Sequence, residues 1–447
     1  MRVFKKYSKN VYMRNYINPY QVHNVLKQNM LVDGFPLVYD PINSHGYYLK
    51  DAVTGKNYLD AFSFFGSQPI SHNHPELYET KFVKKMELAK YNPSNSDFYT
   101  IEMAEFVKKF SKMCVMENFK YLHFVSGGTL AVENALKTAF DRNFRLNNGK
   151  INENMLKILH FKNCFHGRSG YCMSMTNTDP VKYKYFPKFD WPRMDYPAID
   201  FSSNDAEELK NRETTIMTKI IGLLKSQPEI SAIIVEPIQC EGGDNHMSAD
   251  FYKFLRDITE YYDKLFILDE VQTGIGLTGK MWCYEHFNYK TPDIICFGKK
   301  TQVCGIMVSD KLDNLDKHVF NESSRINSTW GGNLTDMIRA TKHFEIIEKY
   351  DLIKNSEIRG AELLSLLQSL SIVYPIITNV RGKGLLCSFD LPDKKIRDKF
   401  INVAFENNVL LLGAGEKTIR LRPYLDVNEE FVAKLYSSLY MILKKFI

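Results

Sequence analysis

The chain has 447 residues, of which 44% are apolar and 25% are charged. These fractions are typical of globular proteins and exclude a mainly disordered or collagen-like chain. At roughly 100 to 200 residues per domain, the length predicts two or three domains. The net charge of +6 is small, and basic residues are interleaved with acidic ones, so nucleic acid is not a predicted partner. No apolar run reaches the ~18 residues that cross a bilayer, so a membrane is not predicted either.

The cysteines and the N-terminus bear on the cellular location. The eight cysteines form no Cys-x-x-Cys pair, and their apolar neighbours indicate reduced thiols in a core. A cytoplasmic location is therefore expected. Residues 1–32 contain six basic residues and no acid, which transit peptides also show, so mitochondrial import is the minority alternative. Because serine is rare there, a basic arm that packs on the protein is the preferred interpretation.

In chain order, the first predicted elements are short strands within residues 47–66, joined by a turn at Thr54. Four short apolar segments farther on alternate with segments of helix length. They are residues 122–125, 232–235, 265–268 and 294–297. This alternation predicts an α/β domain with a mostly parallel, buried central sheet. From about residue 334 a long amphipathic helix, further helices and strands near 384–391 and 419–421 predict a second, smaller domain.

The first candidate site follows the strand at 122–125. Ser126, Gly127, Gly128 and Thr129 come directly before a strongly helical run. Two glycines let the backbone approach an anion, and the free N–H groups at the start of a helix favour a phosphate. This junction is weak evidence by itself, because a tight turn uses the same residues.

Two further candidate sites follow buried strands. The third predicted strand ends in Asp269 and Glu270, and a carboxylate there is costly unless a cation or a hydrogen-bond donor meets it. The fourth strand runs into Lys299 and Lys300. A lysine in a desolvated cleft has a lowered pKa and can form a Schiff base. Taken singly, each segment is more typical of a solvated loop.

Together, the three sites supply the groups that pyridoxal phosphate needs, all at strand ends where open α/β sheets bind ligands. Several longer segments, in the same order, resemble the class III (subgroup II) aminotransferases of the type I pyridoxal-phosphate fold. Within that class the chain is most similar to the lysine 6-aminotransferases. The segments are NVLKQNMLVDG, NPSNSD, CFHGRSGY, FPKFDWPR, VEPIQCEGG, LDEVQTG, FGKKTQVCG, NSTWGGNLTD and IRLRPYL. The resemblance extends from about Val22 to the C-terminus.

The resemblance implies the fold, the domains and the cofactor, pyridoxal 5'-phosphate. A large cofactor-binding domain with a mostly parallel central sheet is expected over residues 71–328. A smaller α+β domain is expected over residues 329–447, and residues 1–70 are expected to pack with it as an N-terminal segment. No metal is implied, and no metal-ligand spacing surrounds His166. That histidine is expected to pack or to form a hydrogen bond.

Cofactor-binding roles follow from the same resemblance. Gly128 and Thr129 are expected to hold the phosphate, and Phe165 to stack on the ring with its flat apolar face. Asp269 is expected to pair with the pyridine N–H, which keeps the ring an electron sink. Gln272 is expected to reach the phenolic oxygen.

The family's spacing separates the two adjacent lysines. Its Schiff-base lysine lies seven residues after the proline that starts the strand, and from Pro292 this count gives Lys299. Lys300 would point to the opposite side if the alternation of the strand continued. Lys299 and Asp269 are therefore the predicted catalytic residues, and Lys299 is expected to move the proton as well.

The resemblance narrows the amino donor to L-lysine. Its ε-amino group would pass to 2-oxoglutarate, giving 2-aminoadipate 6-semialdehyde and L-glutamate. Arg168 is expected to bind the distant carboxylate of lysine through a planar two-bond fork, with a surface arginine as the alternative. Ornithine and 4-aminobutyrate aminotransferases are the near alternatives for the whole chain. An aminomutase of the glutamate-1-semialdehyde type and a binding protein without catalysis are more distant ones.

Two further predictions concern a charge switch and the assembly. Arg420 resembles the family arginine that binds the α-carboxylate of glutamate, and Glu241 matches the acid that pairs with it. A flexible Gly242-Gly243 segment is expected to let Glu241 swing away for 2-oxoglutarate, with a static salt bridge as the alternative. By resemblance, Thr329 reaches the cofactor phosphate of the neighbouring subunit in a homodimer with shared active sites. A local turn is the alternative there.

Overall fold

The computed structural model describes residues 17–203 and 205–446. Residues 1–16, which hold most of the basic N-terminal arm, lie outside the described residues. The prediction that this arm packs on the protein falls on these residues. The helices of six or more residues in the described part are α1 (Val22–Lys27), α2 (Thr80–Leu88), α3 (Ile101–Cys114), α4 (Gly128–Leu146), α5 (Gly170–Met175), α6 (Ala206–Ser226), α7 (Ala249–Tyr261), α8 (Leu334–Lys349), α9 (Leu352–Val373), α10 (Lys394–Glu406) and α11 (Glu429–Leu443).

The strands form a large central sheet and smaller sheets around it. They are β1 (Tyr48–Lys50), β2 (Asn57–Asp60), β3 (Phe119–Val125), β4 (Lys157–Phe161), β5 (Arg193–Met194), β6 (Ile230–Val235), β7 (Ile238–Gln239), β8 (Asn245–His246), β9 (Leu265–Asp269), β10 (Ile294–Phe297), β11 (Cys304–Ser309), β12 (Thr378–Lys383), β13 (Leu386–Asp390), β14 (Val409–Leu410), β15 (Leu412–Ala414) and β16 (Thr418–Leu421). The four strands predicted from apolar segments correspond to β3, β6, β9 and β10.

The central sheet has the strand order β3-β11-β10-β9-β6-β4-β5. β11 is antiparallel to both of its neighbours, and the other pairs are parallel. Every residue of β6, β9 and β10 is buried, as expected when helices cover both faces of a parallel sheet. The predicted α/β fold with a mostly parallel central sheet is confirmed.

Alternating side chains of the central strands enter two separate apolar cores. In β9, Phe266 and Leu268 belong to one cluster, which α7 joins through residues such as Leu255. Leu265 and Ile267 belong to the other cluster, which α4 completes. This period of two places a helical layer on each face of the sheet. Because both faces are covered, only the strand ends remain open for a ligand.

A second sheet is antiparallel, with the order β12-β13-β16-β15. The buried apolar residues of β13 and β16 share one core with α9, α10 and α11. The N-terminal strands β1 and β2 form a hairpin, and β2 pairs in parallel with β14, which joins residues 48–60 to the C-terminal part of the chain. The division at residues 70 and 328 stays a prediction. Within residues 17–203 and 205–446, no helix is both long and apolar enough for a bilayer span.

Candidate active site

A cavity of about 410 Å³ lies where β3, β9 and β10 end. Eight of the ten residues that were predicted for the site line it. They are Gly128, Thr129, Phe165, Arg168, Glu241, Asp269, Gln272 and Lys299. Arg420 lies next to the cavity wall and contacts both Glu241 and Gln272. Thr329 is exposed and does not line the cavity of its own chain.

The start of α4 forms one end of the cavity. Gly127, directly before the helix, has a φ of +118°, which residues other than glycine rarely adopt. A Cβ on Gly128 would lie 3.0 Å from Val271 Cγ1, so the backbone approaches the cavity wall closely. The Thr129 hydroxyl forms a hydrogen bond of 2.8 Å with Ser169 Oγ. The first N–H groups of this 19-residue helix fit a phosphate.

The Asp269 carboxylate is held at both oxygens. Its Oδ2 lies 2.8 Å from His166 Nδ1, and its Oδ1 accepts a hydrogen bond of 3.1 Å from the Val271 N–H. Only 6% of Asp269 is exposed. A fixed, buried carboxylate of this kind fits the protonated ring nitrogen of pyridoxal phosphate. His166 is a hydrogen-bonding residue, one of the two roles expected for it.

Phe165 and Val271 both line the cavity between these two ends. Glu236 Oε1 accepts a hydrogen bond of 2.8 Å from the Phe165 N–H and so fixes the backbone there. Burial, reinforced by nearby Asp269, raises the pKa of Glu236 to about 8. At neutral pH this side chain is therefore mostly protonated and adds little negative charge beside Asp269.

Gln272 is oriented by two arginines. Its Oε1 accepts hydrogen bonds from Arg420 Nη1 at 3.1 Å and from Arg422 Nε at 3.2 Å. Arg422 in turn pairs with Asp244, and both side chains are fully buried. With the amide oxygen bound in this way, the NH₂ group of Gln272 is the donor that fits the phenolic oxygen of the cofactor.

The two adjacent lysines have different surroundings. Lys299 lines the cavity, and its Nζ donates a hydrogen bond of 3.2 Å to the Phe65 carbonyl. Lys300 Nζ donates instead to the carbonyls of Gln68 at 3.0 Å and Pro423 at 3.4 Å. Lys299 has a φ of +50°, so a turn, and not strand alternation, directs the two side chains apart.

The pKa values do not distinguish the two lysines. Burial, followed by the charge of Arg420, lowers the pKa of Lys299 to about 8. Burial, followed by the charge of Arg422, lowers the pKa of Lys300 to about 7. Both amines are thus more nucleophilic than an exposed lysine near neutral pH. Only the position of Lys299 in the cavity favours it as the cofactor lysine.

Glu241 binds a basic residue with each of its carboxylate oxygens. Oε2 lies 2.5 Å from Arg420 Nη2, and Oε1 lies 2.5 Å from Lys182 Nζ. The exposed fractions of the side chains are 24% for Glu241, 1% for Arg420 and 16% for Lys182. Although burial by itself raises the pKa of Glu241, the two cations outweigh burial and lower it to about 2. The Glu241 carboxylate is therefore negatively charged at neutral pH.

Arg168 lies at the exposed side of the cavity. Its guanidinium carbon is 5.9 Å from the centre of the Phe165 ring. The side chain is exposed and still lines the cavity. This position suits a residue that binds the far end of an extended substrate.

The site residues that were not predicted from the sequence include Val271, Glu236 and Lys182. Glu236 directly follows β6, so the rule that ligands bind beyond the carboxyl ends of strands would have found it. Val271 lies two residues after Asp269, in a segment that was already singled out. Lys182 belongs to a short 3-10 turn between α5 and β5 that carries no sequence signal for the site.

The class-III aminotransferase family model matches residues 32–443, and the chain belongs to this family. Its cofactor is pyridoxal phosphate, which the phosphate end, the ring-nitrogen end and Lys299 of the cavity fit. The predicted family, cofactor and aminotransferase class are confirmed.

Two curated relatives and one solved structure show how far the similarity extends. L-lysine-epsilon aminotransferase from Streptomyces clavuligerus is 41% identical over 427 residues, which cover 94% of this chain and 93% of the relative. Mitochondrial 4-aminobutyrate aminotransferase from Homo sapiens is 34% identical over 408 residues, with coverages of 86% and 80%. A solved structure of lysine aminotransferase from Mycobacterium tuberculosis in the internal aldimine form superposes with a TM-score of 0.94. It is 40% identical and covers 96% of this chain and 100% of that chain.

Proposed function

We propose that this enzyme transfers the ε-amino group of L-lysine to 2-oxoglutarate, giving 2-aminoadipate 6-semialdehyde and L-glutamate. The observation that carries the proposal is the ion pair between Glu241 and Arg420 beside the cavity of Lys299. A bare arginine there would bind the α-carboxylate of any amino acid and bring its α-amine to the cofactor. Glu241 neutralises that arginine, so lysine can enter with its ε-amine first. The similarity to relatives named for lysine supports the same donor.

The residues around Lys299 suit proton transfer to and from the substrate. When bound, pyridoxal phosphate takes up the amino group and withdraws electrons from the carbon that carried it. Asp269, fixed by His166, would pair with the ring nitrogen and favour its protonated form. Lys299 Nζ is placed to remove a proton from the substrate carbon that bears the reacting amine. Its lowered pKa of about 8 gives it a substantial neutral fraction for that task.

Arg168 is the proposed partner of the lysine carboxylate. It is exposed, and its guanidinium carbon lies 5.9 Å from the centre of the Phe165 ring. An extended lysine with its ε-amine at the cofactor would place its carboxylate toward the exposed side. A guanidinium binds a carboxylate through two parallel hydrogen bonds. The four methylene groups of the substrate would then lie against the apolar part of the cavity.

For the second half-reaction, Arg420 is the proposed partner of the α-carboxylate of 2-oxoglutarate. Its Nη2 is bound to Glu241, and its buried Nε has no hydrogen-bond partner within the described part of the chain. When Glu241 moves away, Nε and Nη2 together offer a carboxylate the two-bond geometry that guanidinium prefers. The unpaired donor is costly until such a ligand arrives.

The Glu241 side chain, and not the glycines after it, is the moving part that we propose. The Gly415 N–H donates a hydrogen bond of 3.0 Å to the Glu241 carbonyl. A Cβ on Gly242 would lie 2.1 Å from the Asn163 carbonyl oxygen, so this glycine serves a close approach of two backbones. The backbone is thus packed in place, while the side chain is free to change rotamer.

A homodimer with shared active sites is also part of the proposal. Thr329 is exposed in its own chain, as is Trp330 beside it. The Trp330 carbonyl accepts a hydrogen bond of 3.3 Å from the Asn95 N–H. Nearby, Phe98 is 72% exposed and Tyr99 is 80% exposed. An exposed apolar patch of this kind favours a second copy of the chain, whose phosphate site Thr329 would then reach.

We also propose a cytoplasmic location. All eight cysteines are free thiols, and seven of them are buried. Free thiols are typical of proteins from a reducing compartment.

The donor can be tested by assaying lysine, ornithine and 4-aminobutyrate side by side, each with and without 2-oxoglutarate. Lysine should give the highest kcat/KM, by about tenfold or more, because its length lets the ε-amine reach the cofactor while Arg168 binds its carboxylate. Glutamate and the semialdehyde should form in equal amounts. A higher kcat/KM with ornithine or 4-aminobutyrate would refute the lysine assignment. Product formed without the keto acid would instead indicate an aminomutase.

A further inference from the structure

Lys182 adds a third charge to the pair of Glu241 and Arg420. Besides its contact with Glu241, its Nζ donates a hydrogen bond of 3.3 Å to Thr178 Oγ1. The same ammonium lies 5.2 Å from the centre of the Phe165 ring, a distance at which cations are attracted to aromatic faces. These contacts direct Lys182 toward the cavity and away from solvent.

The two cations that bind Glu241 differ in rigidity. Arg420 belongs to β16, is 1% exposed and is also held by Gln272. Lys182 ends a three-residue 3-10 turn, and its side chain is a flexible four-carbon stem. Each cation occupies a different oxygen of the Glu241 carboxylate. The carboxylate can therefore leave Arg420 without breaking its bond to Lys182.

Release of Glu241 from Arg420 would cost more free energy without a second cationic partner. The carboxylate is three-quarters buried, and a partly buried charge that loses its counter-ion bears most of its desolvation cost alone. We propose that Lys182 is a specificity-determining residue, which retains Glu241 while the α-carboxylate of 2-oxoglutarate occupies Arg420. This inference rests on the proposed function, and it assigns Lys182 to the keto-acid half of the reaction.

The variant Lys182→Met removes the charge and keeps the length of the stem. It should weaken binding of glutarate, an unreactive five-carbon dicarboxylate, about tenfold, measured by isothermal titration of the holoenzyme. In stopped-flow measurements of the half-reactions, the apparent Kd for 2-oxoglutarate should rise by a similar factor, and more than the apparent Kd for lysine. Lys182→Arg should restore most of the loss because it keeps the charge.

Direct attraction between Lys182 and the dicarboxylate would also weaken binding, so the measurement must be repeated without Glu241. In a Glu241→Ala background, Lys182→Met should have little further effect on glutarate, because the group that Lys182 retains is gone. Lys184→Met is the matched control, since Lys184 lies on the same segment but over the Tyr185 ring, 4.9 Å from its centre. It should change glutarate binding less than twofold.

Three outcomes would overturn the role of Lys182. An equal effect of Lys182→Met with and without Glu241 would show direct attraction. An equal loss for lysine and 2-oxoglutarate, with a lower Tm, would show a structural tether. Unchanged glutarate binding in Lys182→Met would show that Lys182 does not retain Glu241 during keto-acid binding. Failure of the proposed function is recognised separately, because the unmodified enzyme would then fail to convert lysine, whereas glutarate binding remains measurable in every variant.

Discussion

Lys299 and Lys300 are consecutive residues, yet their ammonium groups lie in different parts of the molecule. Lys299 faces the cavity, whereas Lys300 Nζ donates to the carbonyls of Gln68 and Pro423. Gln68 belongs to the N-terminal part of the chain, and Pro423 follows β16. Lys300 is therefore bonded to two distant segments of the chain, while Lys299 faces the cavity.

Replacement of Lys299 by Ala should lower turnover by about 10³-fold or more, because both the covalent link and the proton carrier are lost. The circular dichroism spectrum should stay unchanged, since the side chain makes one backbone hydrogen bond. Borohydride reduction followed by peptide mass spectrometry should locate the cofactor on Lys299 in the unmodified enzyme. A cofactor found on Lys300 would contradict the assignment.

Replacement of Lys300 by Met should change how stability depends on pH. Burial lowers the pKa of Lys300 from 10.5 to about 7 in the folded protein, so the unfolded chain binds more protons between these values. The contribution of Lys300 to stability is therefore lost as pH falls toward 7 and gained as pH rises toward 10.5. Urea unfolding at pH 7 and pH 10 should show a gain roughly 2 to 4 kcal/mol larger in the unmodified protein than in the variant.

The exposed Lys184, replaced by Met, is the control for this measurement. Its unfolding should follow the pH dependence of the unmodified protein. If Lys300→Met also showed the pH dependence of the unmodified protein, the Lys300 amine would not be deprotonated in the folded protein, and this prediction would be wrong.

Replacement of Glu241 by Ala should slow the lysine half-reaction about tenfold more than the glutamate half-reaction. Arg420 would then be uncompensated and would compete for the lysine carboxylate, whereas glutamate uses that arginine productively. Stopped-flow absorbance measures each half-reaction separately. Glu241→Gln should have the same effect as Glu241→Ala, because the negative charge of Glu241, and not its shape, compensates Arg420. Equal loss in both halves with a lower Tm would instead show a static salt bridge.

Replacement of Thr329 by Ala should raise the dissociation constant of the cofactor about tenfold, since one hydrogen bond to a charged phosphate is lost. The exposed hydroxyl of Ser323, six residues earlier, provides the control variant Ser323→Ala. If the partner completes the phosphate site, as we propose, cofactor loss should also follow dilution below the dimer dissociation constant. A fully active monomer in sedimentation at assay concentration would refute the shared site.

Several features of the fold and the site could be predicted from the sequence because they are local. The strands β6, β9 and β10 are short apolar runs, and parallel strands covered on both faces must be apolar throughout. Gly127 and Gly128 indicate a close backbone approach. Asp269 ends its strand, and Lys299 lies two residues after the end of the next strand. Since ligands of open α/β sheets bind at strand ends, these positions alone indicate where the cofactor lies.

Only the tertiary structure decided which distant side chains meet. Lys182 reaches Glu241 across 59 residues, and Arg420 reaches it across 179, so neither contact leaves a trace in local periodicity. The turn that separates Lys299 from Lys300 depends on the positive φ of Lys299, which could not be predicted from the sequence. The close approach of Gly242 to the Asn163 carbonyl also depends on tertiary packing, and it supports our proposal that the Glu241 side chain moves and the backbone does not. The sequence by itself determined the class and its cofactor, whereas the arrangement of charges around Glu241 follows from how separate segments pack.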